Sequence, residues 1–534
     1  MNVKNISKRI YSNRSVYFIL LLLSGLILVY AQTSRYGFFN IDDDHNIYAD
    51  EKVASGLSTE NVMWSLTSFH INRYVPVTTI SQQVDCQLYG LWAGGHHISN
   101  VILYALSVII LFLALQRITN EFSVSCITVM LYAFHPLQVE TVVWITQRND
   151  VLAGLFLFLS LYFYGVFSRK SIYIAYLLSV VSYVLALGSK GTVLAFPFIL
   201  LFLDYWPLQK LSRINAGKCI SEKIPFFVFS FLAGISALYA NRIPIEPFPP
   251  LSFIQRLGNA IMAYFTYLYE ILIPFSVGSY SFQGEKWNFL FVAILGAIFV
   301  LTLLASFIMR KKYPYIMVGW LWYIFMLFPM TGMVSVIGQA FGDRYVYIAK
   351  IGIFLVIAYG VSSFARKTKI MKITAYTIII LFSFAFAFLA YRQTSYWSDN
   401  IKLWRHCVEI NDDNEIAHLN LGILLLQQGD EREAIIHYNK AVNINPKYAD
   451  AHLLLGIFLM GKGDVQSAFE CFSNVAKLRP YCVNARLLLG YIYLKSGFQG
   501  QALEQFAELE RYFPLDQNIR VQVDGIIKAC GGLH

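Results

Sequence analysis

Long apolar runs separated by short polar segments fill the first 394 residues. Runs near residues 15–33, 97–116, 122–136, 150–167, 171–189, 191–206, 225–241, 289–310, 314–333, 345–365 and 372–391 predict eleven membrane-spanning helices. Most are close to the roughly 20 apolar residues that cross a hydrocarbon core. A further run, 255–273, is apolar but carries Arg256 and Glu270 and lies between Pro250 and Pro274. That mixture predicts a re-entrant or interfacial helix instead of a crossing. After residue 395 the apolar runs give way to a repeating pattern with a period of 34 residues.

Gly422, Gly456 and Gly490 are separated by 34 residues, and the same interval links Ala434, Ala468 and Ala502, and Pro446, Pro480 and Pro514. Period and residue types are those of tetratricopeptide repeats, which are paired antiparallel helices. The small residues let two helices approach closely. The Pro ends the second helix, because it cannot continue the hydrogen-bond ladder. Leu421, Leu455 and Leu489 supply the core layer. Units are expected at about 415–448, 449–482 and 483–516, with a partial unit around Trp397–Asp413 and a capping tail after Asp516. Such an array presents a concave groove, which reads either as a protein-binding surface or as a rigid outer cap. The expected fold class is all-α: a polytopic helical membrane domain over 1–394, then a tetratricopeptide solenoid over 395–534.

Composition excludes a soluble enzyme. Hydrophobic residues make up 57% and charged residues 14%, against about 25% charged in soluble domains, and the mean hydropathy is +0.53. Backbone polar groups in lipid must be satisfied within each segment, and strand alternation is absent, so the spans are helices and not a barrel. Net charge is +10, but residues 395–534 carry 13 Lys/Arg against 16 Asp/Glu. The basic excess therefore sits in short loops: Lys4, Lys8, Arg9 and Arg14, then Arg169 and Lys170, then Lys210, Arg213, Lys218 and Lys223, then Arg310–Lys312, then Arg366, Lys367, Lys369 and Lys372. That distribution signals orientation, not nucleic acid. It puts the N-terminus in the cytoplasm and the repeats outside. The first run is too long for a signal peptide and lacks a small-residue cleavage site. The seven Cys show no Cys-x-x-Cys spacing, so neither a zinc nor a redox motif is indicated.

This topology sets Asp42-Asp43-Asp44 just outside the first span. A carboxylate beside a bilayer is costly unless it binds or reacts; the alternative is a solvated loop cluster, and Asp44 reads as solvated or as a helix cap. Glu140 and Asp150 fall in the second outer loop, either facing the same cavity or ion-paired with Arg148. His135 stands before Pro136 at an outer helix end, as a substrate contact or a hydrogen-bonded terminal residue. Arg148, Lys190 and Arg344 lie at outer span ends, where a cation holds an anionic ligand or snorkels to the headgroups. Lys190 sits between Gly188-Ser189 and Gly191, which lets the backbone approach a ligand. Asp204, with Tyr205-Trp206-Pro207 at a cytoplasmic end, reads as structural, and His96-His97 as interface anchors.

Taken in order, Asp42-Asp43, His135-Pro136-Leu137-Gln138-Val139-Glu140, Trp144 with Arg148-Asn149-Asp150-Val151-Leu152, Ser189-Lys190, Leu203-Asp204-Tyr205-Trp206-Pro207-Leu208, and Gly338-Gln339-Ala340 with Asp343-Arg344-Tyr345 form a set. The set resembles the GT-C superfamily of polyprenyl-phosphate-sugar transferases, in particular the transmembrane and tetratricopeptide-repeat-containing O-mannosyltransferases and their bacterial relatives. The resemblance covers nearly the whole chain. It implies an integral-membrane glycosyltransferase that moves a sugar from a polyprenyl-phosphate donor to a hydroxyl of an extracytoplasmic protein held by the repeats. Asp42 or Asp43 would be the base or bind a divalent metal; Arg148, Lys190 and Arg344 would hold the departing phosphate. Glu140, Asp150 and His135 would line the substrate cavity. Asp44 followed by His45, and Asn149 where relatives often carry Lys, depart from the pattern and touch donor-headgroup details. The bacterial likeness implies an inner membrane with the repeats in the periplasm, topologically equivalent to an endoplasmic-reticulum lumen. Two other classes stay open: a non-catalytic membrane scaffold for envelope or secretion assembly, and a surface-polysaccharide polymerase or ligase.

Overall fold

The computed structural model describes residues 13–70, 73–211, 214–240, 252–274, 281–282, 288–333, 340–514 and 516–530. Lys4, Lys8, Arg9, Arg213, Pro250, Gly338 and Gln339 lie outside the described residues. The chain divides into two compact units. One takes most of the residues up to Lys402, and the other is built on Leu403–His534. Both are helical, and the described strands, Ser281–Phe282 and Ala340–Phe341, are two residues each.

Every one of the eleven predicted spans is a helix, but their lengths differ. Among the described residues, six helices are long and apolar enough to cross a membrane, from Asn13–Arg35 to Lys369–Tyr396. Phe122–Ala133 with Pro136–Val143 makes a seventh if the pair, bent by 66°, counts as one span. Tyr173–Ser189, Gly191–Tyr205, Pro314–Met330 and Lys350–Ala365 are shorter apolar helices. Tight 3-10 turns open the Gly191–Tyr205 helix, at Gly191–Ala195, and close the Pro314–Met330 helix, at Phe328–Met330, and 3-10 geometry rarely extends past a few residues. The run near 255–273 is one helix, Phe253–Leu272, opened by a Ser252/Gln255 capping box. It buries Ala260, Ala263, Tyr264, Tyr267 and Ile271 along one face, while Phe253, Ile254 and Leu272 stay exposed.

Small residues set the helix crossings. Gly319 of the Pro314–Leu327 helix and Gly352 of the Lys350–Ala365 helix pack backbone to backbone; a Cβ on either would collide with the other's carbonyl. In lipid, where the hydrophobic effect does not drive helices together, such close packing does much of that work. Of those six long helices the one that contains Arg148–Lys170 is the most enclosed, set between Ala93–Thr119 and Tyr173–Ser189. At the end of the Phe196–Tyr205 helix Asp204 is fully buried. It accepts hydrogen bonds from the Tyr164 hydroxyl at 2.7 and 2.9 Å and pairs with Lys223, the structural role its setting suggested.

The stretch between the first two long spans folds into its own small platform. Asp50 caps Glu51–Ala54, Ser58 caps Thr59–Thr67, and Pro76–Tyr89 starts on its proline. Asp44 is not a helix cap: its carboxylate accepts its neighbour's N–H, from His45, at 2.8 Å. The Gln83 amide donates to Lys52 O, Asn61 O and Ser65 Oγ, tying three of these elements together. His96 and His97 are fully buried rather than interfacial; their Nε2 atoms meet Gly90 O and Gly37 O at 3.0 and 3.1 Å.

In the second unit the helix pairs are Glu415–Gln427 with Glu431–Ile444, Ala449–Gly461 with Val465–Leu478, and Val483–Lys495 with Gln499–Tyr512. Asn400–Ile410 precedes them and Gln517–Ala529 follows. Gly422, Gly456 and Gly490 each back onto an aromatic ring of the partner helix, Tyr438, Phe472 or Phe506. Gly429, Gly463 and Gly497 turn the chain at φ +87°, +83° and +80°, a left-handed backbone that glycine adopts without strain. All seven cysteines are free.

Candidate active site

The acidic run separates into residues with different surroundings. Asp43 points inward and is fully buried. Its carboxylate accepts the Phe39 N–H at 2.8 Å, the Thr146 N–H at 3.1 Å and the Thr146 hydroxyl. It thus pins the start of the loop after the first span to the Ile145–Gln147 turn. Burial pushes Asp43 up to about 6, against the lowering effect of those hydrogen bonds. Asp42, one residue earlier, is half-buried. Burial raises its pKa above the usual 3.8, while the charges of Arg73 and Arg344 pull it down. Of the two acids, only Asp42 stands among cations without being tied into the backbone.

Those cations gather from distant segments. Arg73 is exposed on the platform between the first two long spans, where His70 and Arg73 exchange backbone hydrogen bonds at 2.8 and 2.9 Å. Its charge acts on both Asp42 and Lys190. Lys190 ends the Tyr173–Ser189 helix and meets Asp150 at 2.5 Å. Arg344, in the Asp343–Val346 turn, pairs with Glu140 through its guanidinium, and its backbone N–H donates to the same carboxylate at 3.2 Å. Its guanidinium lies 5.2 Å from the Trp144 ring centroid and 4.8 Å from that of Tyr345. Arg344 and Asp150 line one cleft, together with Thr192, Met326, Met330 and Tyr345. The space between these residues, open solvent included, is about 290 Å³.

Arg148 belongs elsewhere. It is fully buried and meets Asp85 at 2.5 Å. Its Nε donates to Asn100 Oδ1 at 2.6 Å, and its other nitrogens donate to Ser81 O at 3.2 Å and His96 O at 2.9 Å. The guanidinium thus latches the Pro76–Tyr89 helix onto two spans, and its donors are used inside the protein. Glu140 and Asp150 accordingly pair with Arg344 and Lys190, not with Arg148. His135 is also fully enclosed, with Nε2 at 3.0 Å from Ile271 O and Nδ1 accepting the Leu137 N–H at 3.2 Å. Both ring nitrogens are occupied, so it serves the helix end.

Sequence reasoning missed Arg73 and Asp85. Arg73 sits in a loop where a single cation carries no pattern. Asp85 lies on an amphipathic helix whose partner is 63 residues away in sequence. Among the described residues, no group of three His, Cys, Asp or Glu side chains could hold a metal ion.

Known proteins bear on the same arrangement. A tetratricopeptide-repeat family model matches residues 424–463. Protein O-mannosyl-transferase TMTC1 of Homo sapiens is 22% identical over 422 residues, which are 69% of this chain and 48% of that protein. Protein O-mannosyl-transferase F38B6.6 of Caenorhabditis elegans is 21% identical over 387 residues, 69% of this chain and 53% of its own. The chain therefore spans about half the length of the curated relatives it matches. A crystal structure of MamA overlaps 23% of the chain at 22% identity and a TM-score of 0.20. The chain is a polytopic helical membrane protein with C-terminal tetratricopeptide repeats, a relative of the TMTC-type protein O-mannosyl-transferases.

Proposed function

We propose that this protein is a glycosyltransferase that moves one sugar, mannose by the relatives' names, from a polyprenyl-phosphate donor to a hydroxyl of an extracytoplasmic protein. One observation carries the reading: the charges of Arg73 and Arg344 act on a half-buried carboxylate, Asp42, and Arg344 lines the cleft. A scaffold has no need of that combination.

In the proposed reaction Asp42 takes the proton of the acceptor hydroxyl. The acceptor oxygen bonds to the anomeric carbon as the bond from that carbon to the phosphate oxygen breaks. Both electrons of the broken bond leave with the polyprenyl phosphate. Arg344, Lys190 and Arg73 stabilise the charge that grows on the leaving oxygen, and Asp42 offsets positive charge at the anomeric carbon. Asp43 and Arg148 hold the platform that aims Asp42. Glu140 and Asp150 orient the cations in the absence of donor. The repeats would present the acceptor protein in their groove.

Intact-mass comparison of extracytoplasmic proteins from cells with and without the gene tests the reading. Loss of one hexose from a defined protein in the deletion, restored by the wild-type gene but not by Asp42→Asn, is the expected result. Unchanged masses across the proteome would favour a scaffold.

A further inference from the structure

The cluster contains one cation that the proposed chemistry leaves idle. Lys350 opens the Lys350–Ala365 helix. It is fully buried, and its ammonium makes no hydrogen bond to the described residues. Its surroundings offer the ring of Tyr132, 6.0 Å away, and the charges of Asp343 and Glu140. A buried charge without a bonded partner is unfavourable. Such a residue gains when a carboxylate reaches it in another state of the protein.

Glu140 has the complementary problem. It is 4% exposed, and one of its oxygens is paired with the Arg344 guanidinium while the other accepts the Arg344 backbone N–H. Glu270 adds a second acid close enough to act on it. An anion that takes over the Arg344 guanidinium would leave Glu140 as a buried carboxylate beside a like charge. We infer that Glu140 then passes to Lys350, so that the ion pair exchanges cations as the donor phosphate arrives. The backbone N–H of Arg344 serves as the pivot, because it keeps one carboxylate oxygen while the other turns. Lys350 is thus a positioning residue. It lowers the cost of opening the Arg344–Glu140 pair and makes Arg344 available to phosphate. This inference rests on the reading of Arg344 as a phosphate ligand.

The test uses the full-length protein in detergent, with geranylgeranyl phosphate as the probe and geranylgeraniol as the control without a phosphate. With Glu140 intact, Lys350→Met should weaken geranylgeranyl phosphate binding at least tenfold and leave geranylgeraniol unaffected. Lys350→Arg should bind like wild type. Glu140→Gln needs no second cation, so it should retain binding, and adding Lys350→Met to it should have little further effect. Lys350→Gln carries the same expectations as Lys350→Met and keeps a polar end if the Met variant does not fold. An equal loss on removing Lys350 with Glu140 intact and in the Glu140→Gln variant would overturn the exchange, and so would no loss in either. Absence of phosphate-dependent binding by the wild type would overturn the donor reading itself.

Discussion

Asp42 and Asp43 are adjacent and chemically identical, yet three hydrogen bonds separate their roles. Asn at 43 would turn its amide nitrogen toward either the Phe39 or the Thr146 N–H, setting donor against donor. Asp43→Asn should therefore destabilise the protein by about 1–3 kcal/mol, seen as a lowered thermal midpoint with donor affinity kept in the folded fraction. Asp42→Asn should leave that midpoint near wild type and reduce transfer by about a hundred- to ten-thousandfold. The pH dependence follows from the same carboxyl. Its pKa is raised in the folded protein, and the base acts only when ionised. Transfer should thus fall as pH drops through a value above 3.8, on an acid limb that Asp42→Asn lacks. Lys190 tests the leaving-group side. Lys190→Ala strands Asp150, so the informative variant pairs it with Asp150→Asn. That double variant should fold and still lose about ten- to a hundredfold in polyprenyl-phosphate affinity, measured by direct titration, since a charge-assisted bond is worth about 1.5–3 kcal/mol. Unchanged affinity would mean that Lys190 only snorkels.

Helices here are joined by two kinds of contact with different tolerances. The Gly319–Gly352 crossing is steric, and any side chain at either position forces the helices apart. The Arg148 latch is electrostatic, and it holds the outer platform over the spans through Asp85, Asn100, Ser81 and His96. Asp85→Ala leaves a buried guanidinium without its carboxylate and should destabilise by about 3–5 kcal/mol. Asp85→Ala with Arg148→Met removes both charges and should recover much of that. Thermal unfolding of the two variants in detergent decides; equal losses would mean that the charges are not coupled. The latch also explains why Arg148 looked like a ligand. Its place after an apolar run and beside Asp150 is the same for an outward cation and for an inward one. Direction is chosen by Asp85, which the local pattern does not reveal.

Across the whole molecule, charge asymmetry predicts one orientation. By that rule the basic loops named above are expected in the cytoplasm, and the platform and the repeats on the opposite side. Cysteine introduced at the exposed positions Ser55 or Ser496, in a background with the seven native cysteines replaced, should react with an impermeant reagent from outside. Labelling of one position and not the other would refute the eleven-span arrangement and the non-crossing reading of 255–273.

Pattern along the chain was enough to reveal what repeats and what is apolar. Hydropathy marked the apolar helices, since lipid forces each apolar run to satisfy its own backbone. The 34-residue recurrence of Gly, Ala and Pro marked the repeats, because each unit makes the same short-range helix contact. The resemblance picked out Asp42, Lys190, Asp150, Glu140 and Arg344, which the fold brings near one cleft or its charges. Which acid faces the cations, which cation is sealed inside and which ion pairs form came from packing in three dimensions. Those outcomes depend on residues far apart in sequence: Asp43 with Thr146, Asp85 with Arg148, Glu140 with Arg344. A charge near a membrane must find a partner or remain in water. Where the partner lies is a property of how the helices pack, and no local pattern along the chain encodes it.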